Sequence, residues 1–156
     1  MTSLTPDHVV GLVVGEGCFY VESAPDSKYR LGWRIRPAFC MELRHDDREA
    51  LEGVSALLRC GSIYDLDFGR YEGYRDKGWQ PHVKYRVTRL DDLAGKVVPF
   101  FRRHPLFGRK RIAFEVFAEI VEILARRDHR TAAGLEKAKR TAQRLRAHNA
   151  RGSRAS

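Results

Sequence analysis

Cysteine is scarce and unpatterned in this sequence. Cys18, Cys40 and Cys60 are an odd, widely spaced set with no CxxC pair, which excludes a disulfide framework and leaves no zinc-type ligand spacing. Buried thiols in a reducing compartment are expected. Long apolar runs are missing as well. Val9 to Val14 is far shorter than the roughly 18 residues that suggest a membrane span, so no membrane partner is expected. Met1 to Pro6 lacks the basic start and apolar segment of a secretory leader, which implies an intracellular location, a bacterial cytoplasm or an organelle. No tandem repeat is present.

Acidic residues are outnumbered. The chain carries 29 Lys and Arg against 20 Asp and Glu, a net charge of +9, which favours a polyanionic partner. The excess is concentrated between Arg126 and Ser156, where ten Lys and Arg face only Asp128 and Glu136. The rest of the chain is almost balanced, so a basic surface there must come from geometry. A length of 156 residues and a hydrophobic fraction of 43% suit one domain with a proper core. We place that domain at 1–147 and expect 148–156 to be a disordered basic tail.

Periodicity sets the element order. Thr5 or Asp7 can cap a first helix, with Pro6 in its first turn. Cys18 to Ser23 alternates as a strand, with Phe19, Val21 and Ser23 on one face and Tyr20 and Glu22 on the other. A loop around Pro25-Asp26-Ser27 leads into a second strand. There Leu31, Trp33, Ile35, Pro37, Phe39 and Met41 alternate with Gly32, Arg34, Arg36, Ala38, Cys40 and Glu42. Pro37 donates no ladder hydrogen bond, so a bulge or an edge position is expected there.

Asp46-Asp47-Arg48-Glu49 opens a helix with Leu51, Val54, Leu57 and Leu58 at core spacing. A strand from Ser62 to Phe68, a polar loop over 69–80 and a strand from His82 to Leu90 follow. Asp91 or Asp92 caps a helix over Leu93–Arg102. Arg109 to Arg126 carries a broad apolar stripe, and Thr131 can cap a last helix reaching about Ala147. The expected class is α+β, an αββαββα order with an antiparallel saddle-shaped sheet, helices on one face and a helical C-terminal third. Arginines on the polar strand faces suit recognition of guanine and phosphate.

The stretch from His8 to Tyr20 stands apart. It holds Gly11 and Gly15 within an apolar helix, where glycine costs about 1 kcal/mol relative to alanine. Positions four apart share a helical face, so these glycines make a bare strip suited to close backbone contact. Glu16 follows where the chain leaves the helix, well placed for a metal ligand; an ordinary exposed glutamate is the alternative.

Val9-Val10-Gly11-Leu12-Val13-Val14-Gly15-Glu16-Gly17, taken with this element order, resembles the LAGLIDADG homing endonucleases in their single-motif form. Arg36-Pro37-Ala38-Phe39, Gly61-Ser62-Ile63-Tyr64, Val98-Pro99-Phe100-Phe101, His104-Pro105-Leu106 and Arg109-Lys110-Arg111 look like stretches of the same family. So do Phe114 with Phe117, and His129-Arg130-Thr131. The resemblance covers about residues 8 to 147.

It implies a homodimer that cuts both strands of a long pseudo-palindromic DNA duplex, often from an intron-borne gene, and leaves 3′ overhangs. Val10, Gly11, Val14 and Gly15 would form the dimer contact. Glu16, with Gly15, would hold a divalent metal, expected to be Mg2+ with Mn2+ able to substitute, and Lys110 would join Glu16 as a catalytic residue. The implied DNA-facing set is Tyr20, Glu22, Arg34, Arg36, Ala38, Cys40, Ser62, Tyr64, Lys84, Arg86 and Arg109. Arg70, Tyr71, Tyr74 and Arg75 of the 69–80 loop would reach the flank. Two positions depart from the family pattern: Val14 replaces an expected Asp, and Leu43 stands where a water-ordering Gln is common. They leave an alternative, a non-cleaving DNA- or RNA-binding protein on the same scaffold, such as an intron maturase or a transcriptional regulator.

Overall fold

In the computed structural model, which describes residues 3–66 and 81–154, the chain begins with helix α1, Pro6–Glu16. Thr5 is its cap: the Thr5 hydroxyl accepts from the His8 N–H, and His8 Nδ1 accepts from the Thr5 N–H at 3.1 Å. Val9 and Val13 are fully buried on its inner side. Gly11 and Gly15 lie on the exposed side, where an added Cβ would meet nothing within 4 Å.

Strand β1, Gly17–Pro25, starts without any connecting loop. At Gly17 a Cβ would fall 2.8 Å from the Val13 carbonyl oxygen and 2.7 Å from Val13 Cγ1. Only glycine allows so abrupt a passage from helix to strand. Strand β2, Trp33–Arg44, pairs antiparallel with β1 from Gly17↔Met41 to Pro25↔Trp33. Helix α2, Arg48–Leu58, follows a short 3-10 turn at His45–Asp47, and Asp47 makes no side-chain capping bond. Strands β3, Ser62–Leu66, and β4, His82–Val87, complete an antiparallel sheet of order β1-β2-β4-β3.

Pro37 occupies an edge in effect. The β4 ladder on β2 begins at Phe39, opposite Val87, so Pro37 lies outside it and its missing N–H leaves no acceptor stranded.

Helix α3 comprises three consecutive pieces, Leu90–Asp92, Leu93–Val97 and Val98–Arg103, the middle one wound as a π-helix. Asp91 and Asp92 sit inside its first turn instead of capping it, and Asp92 pairs with Lys96 at 3.4 Å. Helices α4, Gly108–Ala125, and α5, Ala132–Arg154, finish the chain. Thr131 does cap α5, its hydroxyl accepting from the Gly134 N–H at 3.0 Å.

The core lies between the odd-numbered face of β1, β2 and β4 and the helices. Phe19 is at its centre, with ring centroids 4.9 Å from Phe39, 5.1 Å from Phe117, 5.5 Å from Phe114 and 5.8 Å from Phe101. Such offset and tilted aromatic contacts add to the burial of apolar area. The even-numbered residues face the other way, as the alternation predicts.

The expectation for the C-terminus fails as well. The sequence reading ends the last helix near Ala147 and leaves 148–156 disordered, yet α5 continues to Arg154. Residues 148 and 149 are anchored: His148 is 8% exposed and bonded to the Arg109 carbonyl at 2.9 Å, and the Asn149 amide donates to the Phe19 carbonyl at 2.9 Å. Those bonds, invisible to a charge count, hold the helix against the body.

Gly17→Ala should lower folding stability by about 1–3 kcal/mol, because the added methyl overpacks against backbone. Gly95→Ala, in open space within a helix, should raise stability by about 0.5–1 kcal/mol. Urea midpoints of the two variants check this; equal shifts would contradict it.

Candidate active site and nucleic-acid interface

Where α1 gives way to β1, three parts of the chain converge. Glu16 is exposed at the end of α1. The last carbonyls of a helix have no intrahelical donor, so the Gly15 carbonyl and the Glu16 carboxylate stand together as hard oxygen atoms. Lys110, in the first turn of α4, donates from Nζ to the Gly17 carbonyl. A residue distant in sequence thus brings its ammonium to the backbone of the residue that follows Glu16.

Beside them is a cleft of about 600 Å³, bordered by Val14, Cys18, Phe107, Lys110, His148 and Asn149 among others. Val14 presents only methyl groups to it. Leu43 lies on the helix side of β2, packed against the core; the neighbouring polar group on the open face is Glu42, bonded to His82 at 3.0 Å.

No cluster of three or more His, Cys, Asp or Glu side chains able to hold a metal ion occurs among the described residues. The junction offers a single carboxylate with a helix-end carbonyl. That donor set fits a hard divalent cation once a second carboxylate and phosphate oxygens join it.

The open face of the sheet carries most of the expected DNA-facing residues, in three different states. Arg34 is already engaged: its guanidinium pairs with Glu22 and, at 2.9 Å, with Asp26. Arg36 is exposed and bonded only weakly, to the Tyr29 hydroxyl at 3.3 Å. Arg86 lies over the Tyr20 ring at 5.9 Å, and its Nε is buried with no acceptor among the described residues.

Tyr20, Glu22, Arg36, Ala38 and Arg86 line a groove of about 400 Å³. Ala38 and Cys40 form the floor of this face, only 2% and 8% exposed. Ser62 and Tyr64 are exposed on β3, and Lys84 is half-buried on β4. Arg109 differs from the rest: although exposed, it donates to the His148 carbonyl at 2.9 Å, so it ties α4 to α5. Arg70, Tyr71, Tyr74 and Arg75 lie outside the described residues.

Cys18 belongs to this face although the sequence reading omitted it; its even position on β1 was the available signal. It is the direct cross-strand partner of Cys40. The hydrogen bond from the Cys40 thiol lowers the Cys18 pKa to about 6, opposed by burial and helped by Lys110 and Lys84. Cys40 is pushed up by the same bond and by burial. Asn149 and His148, which border the cleft from α5, gave no signal in the sequence.

The outer edge of β1 is closed by side chains. The carbonyls of Gly17, Phe19 and Ser23 accept from Lys110, Asn149 and Arg146 respectively, the last at 3.0 Å. An edge strand left open is a template for unwanted pairing; here α5 and the start of α4 occupy it.

The LAGLIDADG endonuclease family model matches residues 9–121. A probable intron-encoded endonuclease of Neurospora crassa is 26% identical over 133 residues, covering 85% of this chain; the chain spans 27% of that relative's length. The crystal structure of a homing endonuclease, I-TnaI, superposes with a TM-score of 0.77 at 28% identity, covering 96% of this chain and 99% of that one. I-SmaMI bound to an uncleaved DNA target in the presence of calcium ions gives 0.80 at 26% identity, covering 92% of this chain and 45% of the other. Matched from the motif helix well into α4, and alike in fold almost end to end to I-TnaI, this chain belongs to the LAGLIDADG endonuclease family.

Proposed function

We propose that this protein is a site-specific, divalent-metal-dependent endonuclease that cuts both strands of a long, pseudo-palindromic DNA target as a homodimer. The observation that carries this reading is the convergence of Glu16 and Lys110 on the two sides of Gly17. A carboxylate and an ammonium at one junction, beside a basic sheet face, suit hydrolysis of a phosphodiester.

In this reading Glu16 and the Gly15 carbonyl, with the same pair from a second copy, hold the metal, Mg2+ or Mn2+. When bound, such an ion activates water and neutralises charge on the phosphate. The ammonium of Lys110 stabilises the negative charge that gathers on the phosphate oxygens. The Gly17 carbonyl keeps Lys110 in place before substrate arrives, so little reorganisation is needed.

Arg36 and Arg86 are the residues most ready to meet bases or phosphates. Arg34 must exchange Glu22 or Asp26 for DNA, which makes it a selective contact. Lys84, Tyr20, Ser62 and Tyr64 complete the reading face, with Ala38 and Cys40 setting its depth. Arg109 acts on DNA only through the position of Lys110 beside it. Arg70 and Arg75 are the flank-binding candidates of the loop.

The exposed strip of Gly11 and Gly15, with Val10 and Val14 half-buried beside it, supports a two-fold contact between motif helices. I-SmaMI, in which this chain matches 45% of the length, has room for a second unit of similar size. A second reading, a non-cleaving binder such as a maturase or regulator, is favoured by the methyl groups of Val14 at the cleft and by Leu43 packed against the core.

Selection of cleaved sites from a randomised duplex library, with Mg2+ or Mn2+ present, should return one long, nearly two-fold symmetric sequence cut on both strands. A library left intact under those conditions would favour the non-cleaving reading. Gly15→Leu should halve the solution mass measured by light scattering, since the new side chain blocks close helix contact. An unchanged dimer mass would place the contact elsewhere.

A further inference from the structure

The proposed hydrolysis uses no thiol and Cys40 serves the reading face only through its depth, yet Cys18 and Cys40 face each other at the edge of the candidate active site. Their strand register is fixed by the β1 edge. Gly17, Phe19 and Ser23 turn their carbonyls outward to Lys110, Asn149 and Arg146, so the intervening residues turn theirs toward β2. Cys18 and Cys40 are therefore a hydrogen-bonded strand pair, with α-carbons about 5.5 Å apart in regular sheet. That separation lies inside the range of about 4.4–6.8 Å that a disulfide spans. Access is unequal: Cys18 borders the open cleft, whereas Cys40 is 8% exposed beneath it. Cys60 is remote from both, its sulfur 3.9 Å from the Tyr85 hydroxyl.

We propose that Cys18 and Cys40 are a reversible oxidation site, in which a hydroperoxide entering the cleft joins the two strands by a disulfide and suppresses cutting. The Cys18 sulfur attacks one peroxide oxygen, the O–O bond breaks, and the other oxygen leaves as water with the thiol proton. The Cys40 sulfur then displaces the new hydroxyl from Cys18, and a second water leaves with the Cys40 proton. Two thiols and one hydrogen peroxide become one disulfide and two waters; the thiols lose two electrons and the peroxide gains them.

The bridge acts on the site through Gly17. Cys18 directly follows that glycine, which has no slack against Val13 and whose carbonyl anchors Lys110. The S–S bond fixes Cys18 to β2, so any shift of Cys18 as the bond closes passes to the anchor of Lys110 and to the end of α1 that carries Glu16. Small displacements of that kind cost cutting far more than they cost the broad sheet contact with DNA.

The effect on cutting rests on the endonuclease reading; the bridge itself does not. The intact protein is treated with stoichiometric hydrogen peroxide, remaining thiols are alkylated, and the peptides are mapped by mass. The expected map has Cys18 joined to Cys40 within one chain and Cys60 alkylated. Cys60→Ser should form the bridge, and Cys18→Ser and Cys40→Ser should not. DNA cutting by the oxidised wild type should fall about tenfold or more and return on thiol reduction, while affinity for the same DNA in calcium changes less than about threefold. Cys18→Ser should cut equally before and after peroxide. A bridge between chains, oxidation at Cys60 first, or a peroxidised Cys18 that leaves Cys40 alkylated would each overturn the site. A bridge that forms while cutting persists would overturn its control of the active site. Bridge formation in a protein that never cuts would sustain the site and reject the endonuclease reading alone.

Discussion

Gly17 is the constraint on which the candidate site depends. It lets a helix become a strand with no intervening residue, because its missing Cβ is where the Val13 backbone lies. It carries the carbonyl that fixes Lys110. It also sets the position of Glu16 on one side and Cys18 on the other. A residue with no side chain thus ties together the chain segments that carry Glu16, Lys110 and Cys18.

The same economy extends along β1. The strand is an edge, and an edge is a hazard unless it is covered. Lys110, Asn149 and Arg146 bond its outward carbonyls, so the C-terminal helix is part of the sheet's closure and not only a source of charge. His148 and Arg109 exchange two further bonds, each ring or guanidinium reaching the other's carbonyl. That lock sets the start of α4, and with it Lys110. The basic excess of the last helix therefore serves two purposes, with some side chains committed to the body and others, such as Lys137 and Arg140, exposed on its outer side.

Much of this was legible in the sequence. Alternation along β1 and β2 separates the core face from the reading face, and glycines spaced four apart mark the exposed strip of α1. What sequence could not give depends on partners far along the chain. Nothing local marks Asn149 as the cap of a strand carbonyl, or Arg109 as a tie to α5. Arg34 reads as a free strand arginine until the hairpin brings Asp26 back to it. Ala38 and Cys40 fall on the polar face by parity, but their short side chains sink beneath Tyr20 and Arg86 and become a floor. Periodicity gives direction; it does not give depth.

The central claim is that Glu16, held at the Gly17 junction beside Lys110, is a catalytic metal ligand. Glu16→Gln keeps shape and removes charge, so it separates chemistry from binding. Measured on a selected target, its cutting rate with Mg2+ should fall by about 100-fold or more. Its DNA affinity should stay within about threefold of the wild type, because the reading face is untouched. Cutting by Glu16→Gln at the wild-type rate would contradict the account.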